Sequence, residues 1–479
     1  SNKIIFIMVD IVILNRNLRL HDNAALYYGS LNSNYIVIHP YDENYWKANG
    51  RSVRQLKFSY DCLQELDDSL KRIGSEINIF EGSFDDLKKW IKINFNDCFI
   101  HINHCTDIDY FRKGFEKFKQ DFKNRLKVYD DFGIQLTDFD RDTWSKNWNH
   151  IMHSNLIDEP KINKNTAGTN LIKFNEHNNK IKSKFTYLEH IQKGGTSVAN
   201  ELLESFLHER CENYRVKMSS PSLSEDSCSR LSPHFTYGSI SIRQVYQRLN
   251  DSLSKLENKK DLYSFKKRLY WHCHFVQKLH TEPELEFNSM HRMCDSLRTE
   301  HDKEIIEKWI KGETGFPFLD ACMKFLNKHG WINFRMRAMI MSFASYNMWQ
   351  PWQKTSPLLA ELFTDYEPGI HISQVQMQSG VTGINLPRIY SVPKQSMDQD
   401  PNSEWTKNIL PQLDHFESKL IHTAELNGAY IPKIVDLKTS AKFARDEIWG
   451  IRKSREFKEE ARRVYLKHGS RRKRNIKTN

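Results

Sequence analysis

At 479 residues, with 39% hydrophobic, 12% aromatic and 27% charged residues, the chain has the composition of a folded protein with room for two or three domains. No apolar run approaches the ~20 residues of a membrane span. Lys and Arg exceed Asp and Glu by 71 to 60, but residues 433–479 alone hold sixteen Lys/Arg against six Asp/Glu, so a basic tail follows a nearly neutral body.

Residues 4–14 (IIFIMVDIVIL) form an apolar run interrupted by Asp10, with no cleavage site, leading straight into NRNLRLHDN. It reads as a buried strand and not a leader, which points to a cytoplasmic protein. Short apolar runs follow at 35–39, 77–80, 98–102 and 126–130, with amphipathic segments such as 52–73 and 83–93 between them. Strands alternating with helices predict an α/β domain with a doubly wound parallel sheet over residues 1–135, with ligands at the C-terminal strand ends. No glycine-rich phosphate loop is present, which disfavours a kinase, a dinucleotide dehydrogenase or an ATP-pyrophosphatase. The eight cysteines are scattered without a C-x-x-C pair, as reduced thiols are. His101, His104 and Cys105 have ligand chemistry but no second ligand pair, so no metal is assigned.

Residues 136–193 are rich in Asn and Lys with little periodicity and read as an interdomain linker. From 194 to 479 the pattern is all helical. Its most informative stretch, 312–352, predicts two consecutive helices: Pro317 opens the first, Gly330 ends it, and Asn333 caps the second. The second carries Met336, Met339, Ile340 and Phe343 at core spacing, beside a ridge of small residues, Ala338, Ser342 and Ser345. Arg335 and Arg337 lie one turn before that ridge. Upstream, Cys228-Ser229-Arg230-Leu231-Ser232-Pro233 places short hydroxyls and amides at a turn before a helix, which suits either a phosphate or a plain N-cap.

These motifs are similar to those of the photolyase/cryptochrome family. The run from Gly312 through Pro317, Asp320 and Met323 to Gly330-Trp331 and Arg335-x-Arg337 resembles its flavin-cradling core. Arg16 to Leu26 (RNLRLHDNAAL) resembles its N-terminal R-x-L-R-x-x-D-N-x-A-L motif, without the usual aromatic pair before the arginine. Cys228 to Pro233 resembles T-S-R-L-S-P, Phe265 to Phe275 aligns on Trp271, and Asp365-Tyr366-Glu367 to Gly380 aligns on two acids that face the flavin ring. The resemblance implies an all-helical FAD-binding domain over 194–479. FAD would be held by Tyr214, Cys228, Ser229, Arg230, Leu231, Ser232, Phe265, Phe334 and the Arg337–Asp365 ion pair, with Glu367 as the second acid. It also implies a possible second, antenna chromophore of unknown identity in the N-terminal domain. In this family light excites the reduced flavin, which lends an electron to a pyrimidine dimer until its ring bonds break.

The chain departs from the family pattern around the reacting centre. His371 stands where an Asn usually lies next to flavin N5; an imidazole there would titrate near neutral pH and donate a proton or stabilise a flavin anion. Arg268 replaces a glutamate three residues before Trp271, and either stabilises lesion charge or holds an FAD phosphate, because His272 stands where the family places an FAD-binding arginine. Phe334 and Ala338 replace Asn and Met, and Met377 replaces the second lesion-stacking tryptophan. Trp271 remains as a stacking surface, with His272 and His274 as pocket histidines. The family's three-tryptophan electron chain maps to Val375, Trp352 and Thr299, so only Trp352 survives, with Trp349 and Tyr346 as nearby substitutes. The expectation is an FAD-dependent, blue-light-driven, photolyase-like lyase that repairs UV-damaged DNA, single- or double-stranded, as a monomer with no membrane association. The alternative is a cryptochrome-type photoreceptor without repair activity. The cluster Arg471-Arg472-Lys473-Arg474 reads as a solvated tail or a non-specific phosphate contact.

Overall fold

The computed structural model describes residues 8–130, 133–165, 168–255 and 259–471. Five strands form from the apolar runs: β1 (Asp10–Ile13), β2 (Tyr35–Tyr41), β3 (Ile77–Glu81), β4 (Ile100–Asn103) and β5 (Leu126–Tyr129). Residues 4–7 of the first run lie outside the described residues. The five pair in parallel in the order β5-β4-β1-β2-β3. Every residue of β1 and β4 is buried, which is why their sequence reads as continuous and not alternating apolar text. Helices Val53–Lys71, Phe84–Asn94 and Asp109–Asp121 cover the sheet.

The expected linker over 136–193 is not a linker. It contains helix Arg141–His153, a sixth strand β6 (Ile172–Lys173) antiparallel to β3, and helix Phe174–Ile181. Trp144, Trp148 and Met152 recur every four residues and bury their side chains in a core shared with helices Ile242–Lys255 and Lys260–Thr281. The Asn and Lys residues that masked this stripe belong to the remaining faces. Among the described residues no helix is long and apolar enough to cross a membrane.

The segment after β1 clasps the sheet domain to the helical one. Leu18 N–H donates to Tyr237 O (3.0 Å), and Arg19 Nη1 donates to Gly238 O (3.1 Å). Asp22 accepts from Ser241 Oγ (2.6 Å) and pairs with Arg243. Gly238 has φ +71°, and a Cβ there would run into the Arg16 carbonyl, so only glycine lets the two backbones close. The motif from Arg16 to Asn23 is therefore an interdomain fastening, and it fixes one wall of the site described next.

Candidate functional site

Helix Pro317–His329 ends at Gly330 (φ +69°), and helix Phe334–Ser342 starts four residues later, with a further π-helical turn at Phe343–Asn347. Asn333 does not cap it as expected; its Nδ2 donates instead to Met218 O (3.1 Å) and Ser219 O (3.0 Å), tying the helix to the preceding segment. The small ridge packs against helix Pro368–Ser379, where Ser345 Oγ bonds Ser379 Oγ (2.8 Å).

Beside Ala338 these helices leave a cavity of about 160 Å³. Its walls are mostly apolar (Met341, Leu359, Phe363, Ile370, Val375), with His272, Gln374, Glu367 and His371 among the polar lining. Arg337 grips Asp365 through both terminal nitrogens (2.9 Å each) and anchors its own Nε on Ile332 O (2.7 Å). Ser232 Oγ donates to the same carboxylate (2.6 Å). This bidentate pair sets a fixed polar edge on an otherwise apolar chamber.

Two family models match, DNA photolyase over residues 10–104 and the FAD binding domain of DNA photolyase over residues 265–450. The chain belongs to the photolyase/cryptochrome family. A deoxyribodipyrimidine photo-lyase of Alkalihalophilus pseudofirmus is 28% identical over 233 residues, 48% of this chain and 47% of that protein, so the matched stretch spans about half the length of the relative. Cryptochrome-1 of Erithacus rubecula is 23% identical over 443 residues, covering 85% of this chain and 70% of the relative. In fold, the chain superposes on the crystal structure of an archaeal photolyase from Sulfolobus tokodaii with two FAD molecules at TM-score 0.77, with 22% identity over 92% of this chain and 100% of that one.

The residues present fit FAD. The enclosed cavity is smaller than the 300–1,000 Å³ of a site for a whole drug-sized ligand, so it accommodates a ring system and leaves the rest of a dinucleotide outside it. Gln374 contributes a buried amide oxygen with no partner, and Arg230 a buried Nε with none. The turn at Cys228–Ser232 is ringed by cations: Arg210 donates to the carbonyls of Cys228 and Ser229, while Arg230, Arg268 and Arg337 lie close enough to pull on the Cys228 thiol. Burial still pushes that thiol up to about 11. Arg230 adopts φ +60° and lays its guanidinium over Trp331 at 4.0 Å. Ser229 Oγ accepts from Leu231 N–H (3.3 Å) and shapes this turn.

Other expected site residues fall into three groups. Tyr214 and Phe265 are buried behind the cationic turn, ring to ring at 6.2 Å. Arg268 is exposed, faces the Phe334 ring at 5.9 Å and Met218 Sδ at 3.8 Å, and interacts with the Tyr214 hydroxyl, at the cavity's cationic end. Trp271 is half-buried and stacked on Phe275 (5.8 Å, 27°). The remaining expected residues, His274, Met377 and Trp352, do not line this cavity. His274 is packed among Trp144, Tyr270 and Trp271, away from the cavity lining. Met377 lines a separate surface groove with Arg388, Tyr390 and Tyr465, although Gln378 lines both spaces. Trp352 is buried in the core and donates Nε1 to Ser289 Oγ (2.9 Å). The substitute donors fare no better: the Arg298 guanidinium sits 4.3 Å from the Trp349 ring and 5.5 Å from the Tyr346 ring, and a cation so placed opposes withdrawal of an electron from either.

His371 lines the cavity, but burial pushes its pKa down to about 4, so it is neutral near pH 7 and does not titrate there as expected. Its Nε2 lies 3.0 Å from Ser356 O, which assigns the proton to Nε2 and leaves Nδ1 as an acceptor. It is therefore not placed to donate a proton from Nδ1. His272, pushed down to about 3 chiefly by burial, cannot replace the cation of an arginine.

Glu367 brings the largest surprise. It lines the cavity, yet its carboxylate is held from the sheet domain by Arg16, at 2.5 Å from Nη1 and 3.3 Å from Nη2. Arg16 also donates to Thr236 O (3.0 Å), Thr106 O (2.6 Å) and Cys105 Sγ (3.1 Å), which uses all five of its N–H groups. Asp107 and Arg51 complete the buried network, 2.6 Å apart. Sequence reading quoted Arg16 as part of a motif but gave it no role, and it missed Arg210 and Gln374 entirely.

Arg16 also lines a second cavity, of about 730 Å³, at the C-terminal ends of β1 to β4. Its walls include Asn15, His39, Tyr45, Trp46, Phe111 and Glu286. This is where a parallel sheet places a ligand. Burial raises the Glu286 carboxyl to about 7. Of the metal-like triplet in the sequence, His101 is engaged by Asp10, His104 by Thr106 Oγ1 (3.1 Å) and Cys105 by Arg16. Of the basic cluster, Arg471 pairs with Asp142 (2.6 Å), and 472–474 lie outside the described residues.

Proposed function

We propose that the protein is a light-driven, photolyase-like lyase acting on UV-induced pyrimidine dimers in DNA. The observation that carries this reading is the apolar chamber with the Arg337–Asp365 pair on its edge, continuous with a turn crowded by guanidinium groups. FAD bound there would supply light absorption and electron transfer. The chain's residues would bind and orient it. Ser229, Ser232 and Arg230 would hold its phosphates, Arg337 and Asp365 would fix the ring edge, and the apolar walls would exclude water. Arg268 lies beside Tyr214 and the Cys228 turn, which favours its cofactor role over a role at the lesion. Trp271, half-exposed and braced by Phe275, would stack on an extruded base, worth roughly 1–3 kcal/mol. Single-stranded DNA is the easier substrate, since no base pair must open.

The second reading, a photoreceptor without repair, is favoured by two features: Arg268 stands in place of the glutamate, and the family's three-tryptophan chain maps to Val375, Trp352 and Thr299, of which the first and last cannot relay electrons. A light-versus-dark assay on defined cyclobutane and (6-4) lesions, in single and double strands, separates the two. Reduced, FAD-loaded protein that repairs none of them supports the photoreceptor. The sheet-domain cavity is the proposed seat of a second chromophore. A second absorbing species released with FAD on denaturation would support it, and a strict 1:1 release of FAD alone would oppose it.

A further inference from the structure

Helix Arg141–His153, helix Lys260–Thr281 and the turn following helix Arg455–His468 meet at a seam with a charge imbalance. Arg141 is 5% exposed; its Nε donates to Gly469 O (2.9 Å) and its guanidinium lies 5.6 Å from the Trp144 ring, but Nη1 and Nη2 are buried with no hydrogen-bond partner among the described residues. Lys278 is 6% exposed; its ammonium makes no hydrogen bond or ion pair among the described residues and lies 5.1 Å from the centre of the Phe275 ring. Burial and the nearby Arg141 bring its pKa down to about 7. His274 and His468 also face the seam, and burial lowers both. The carboxylate of Glu282 is already shared by Arg292 (2.6 Å), His468 (2.5 Å) and Lys467 (3.4 Å).

A guanidinium does not deprotonate in a protein, and a buried charge without a partner costs several kcal/mol. The seam therefore calls for an anion that the described residues do not supply. We propose that Arg141 and Lys278 form a binding site for a phosphate-type oxyanion. Two Nη donors and an ammonium offer charge-assisted bonds to several oxygens of one such group. The surroundings fit a nucleic-acid source as well as a free one. Trp271, Phe275 and Lys278 follow one another at i, i+4 and i+7 on a single helix face, so a stacked aromatic pair leads directly to the cationic end. Aromatic platforms beside cations are how single strands are held, bases on rings and phosphates on charges. The free-anion site does not depend on the DNA reading; only its nucleic-acid source does.

The test uses the full chain and two variants, Lys278→Met and Arg141→Met. Inorganic phosphate should raise the thermal midpoint of the wild type in a saturable way, relative to chloride at matched ionic strength. Each variant should bind phosphate roughly ten- to a hundredfold more weakly, the range for losing a bond to a charged group. Lys278→Met removes a buried charge and keeps a long apolar side chain, so it serves even if Arg141→Met fails to fold. A short single-stranded oligonucleotide distinguishes the source. Weaker binding by Lys278→Met, with a log–log salt slope reduced by about one, assigns a backbone phosphate. Unchanged oligonucleotide binding with lost phosphate binding assigns a free anion. The proposal is overturned if phosphate acts no differently from chloride on the wild type, or if the foldable variants respond to phosphate as the wild type does.

Discussion

Replacing Arg16 by methionine should unfasten the two domains in a pH-dependent way. The change leaves the Glu367 carboxylate buried opposite no cation and takes donors away from Thr106 O and Thr236 O. Breaking a buried pair by removing one partner costs about 3–5 kcal/mol. Burial already pushes Glu367 above its ordinary value, and Arg16 is the main influence holding it down. Without Arg16 the folded-state pKa of Glu367 rises further above its unfolded value. A raised carboxyl contributes stability that is complete below the unfolded pKa and is lost as pH rises through the folded one. The deficit of Arg16→Met should therefore grow as the pH rises, because a protonated Glu367 leaves no buried charge and an ionised one does. Denaturant midpoints at pH 5, 6, 7 and 8 measure it. Adding Glu367→Gln should recover at least half of the loss at pH 8 and little at pH 5. A deficit that is flat across pH, smaller than about 1 kcal/mol, or untouched by the second substitution would refute the reasoning.

Arg337→Ala should lower FAD content after purification, because it leaves Asp365 charged beside the ring; the supernatant spectrum after heat denaturation reads this directly. Arg268→Ala should also weaken FAD retention, and full retention with lost light-dependent repair would instead place Arg268 at the lesion. Glu286→Gln should stabilise the protein by about 2–3 kcal/mol at pH 8 and hardly at all at pH 4. The reason is that the raised Glu286 carboxyl gives up its stabilisation as pH climbs from its unfolded value towards about 7, and the amide keeps an acceptor for Asp109 N–H. Trp352→Phe should leave the rate of light-driven bleaching of bound FAD within about twofold, since the other two positions of the family's tryptophan chain map to Val375 and Thr299; a tenfold slowing would restore Trp352 to the electron path.

What was legible in the sequence was local. Strands β2, β3 and β4 lie within two residues of their apolar runs because a strand buried on both faces has to be written as near-continuous apolar text, whereas β5, at the sheet edge, is only partly buried. Gly330 ended its helix at the expected residue because a left-handed terminus favours glycine. The failures share a different cause. The contact between Arg16 and Glu367 joins positions 351 residues apart, and no periodicity encodes a pairing of that length. His371 was read from its motif position, whereas its charge is decided by burial and by Ser356 on another helix. The stripe Trp144, Trp148, Met152 was present in the text but was outweighed by the Asn and Lys around it.

The Arg16 network also changes how the two cavities relate. A flavin cavity in a helical domain and a ligand crevice in an α/β domain are usually read as separate sites on one chain. Here Arg16 lines the crevice and Glu367 lines the helical-domain cavity, and the two residues share one ion pair. Because every N–H of Arg16 is committed, the guanidinium cannot swing toward a ligand on either side without breaking a buried bond. It acts as a strut, not a switch. The geometry of the flavin-side wall is consequently set by residues of the sheet domain, including the Asp107–Arg51 pair that stands behind Arg16. A helical domain expressed alone would expose Glu367 where Arg16 now stands and would lose a defined wall of its own cavity. The N-terminal motif thus shapes the helical-domain cavity as much as Arg337 and Asp365 do.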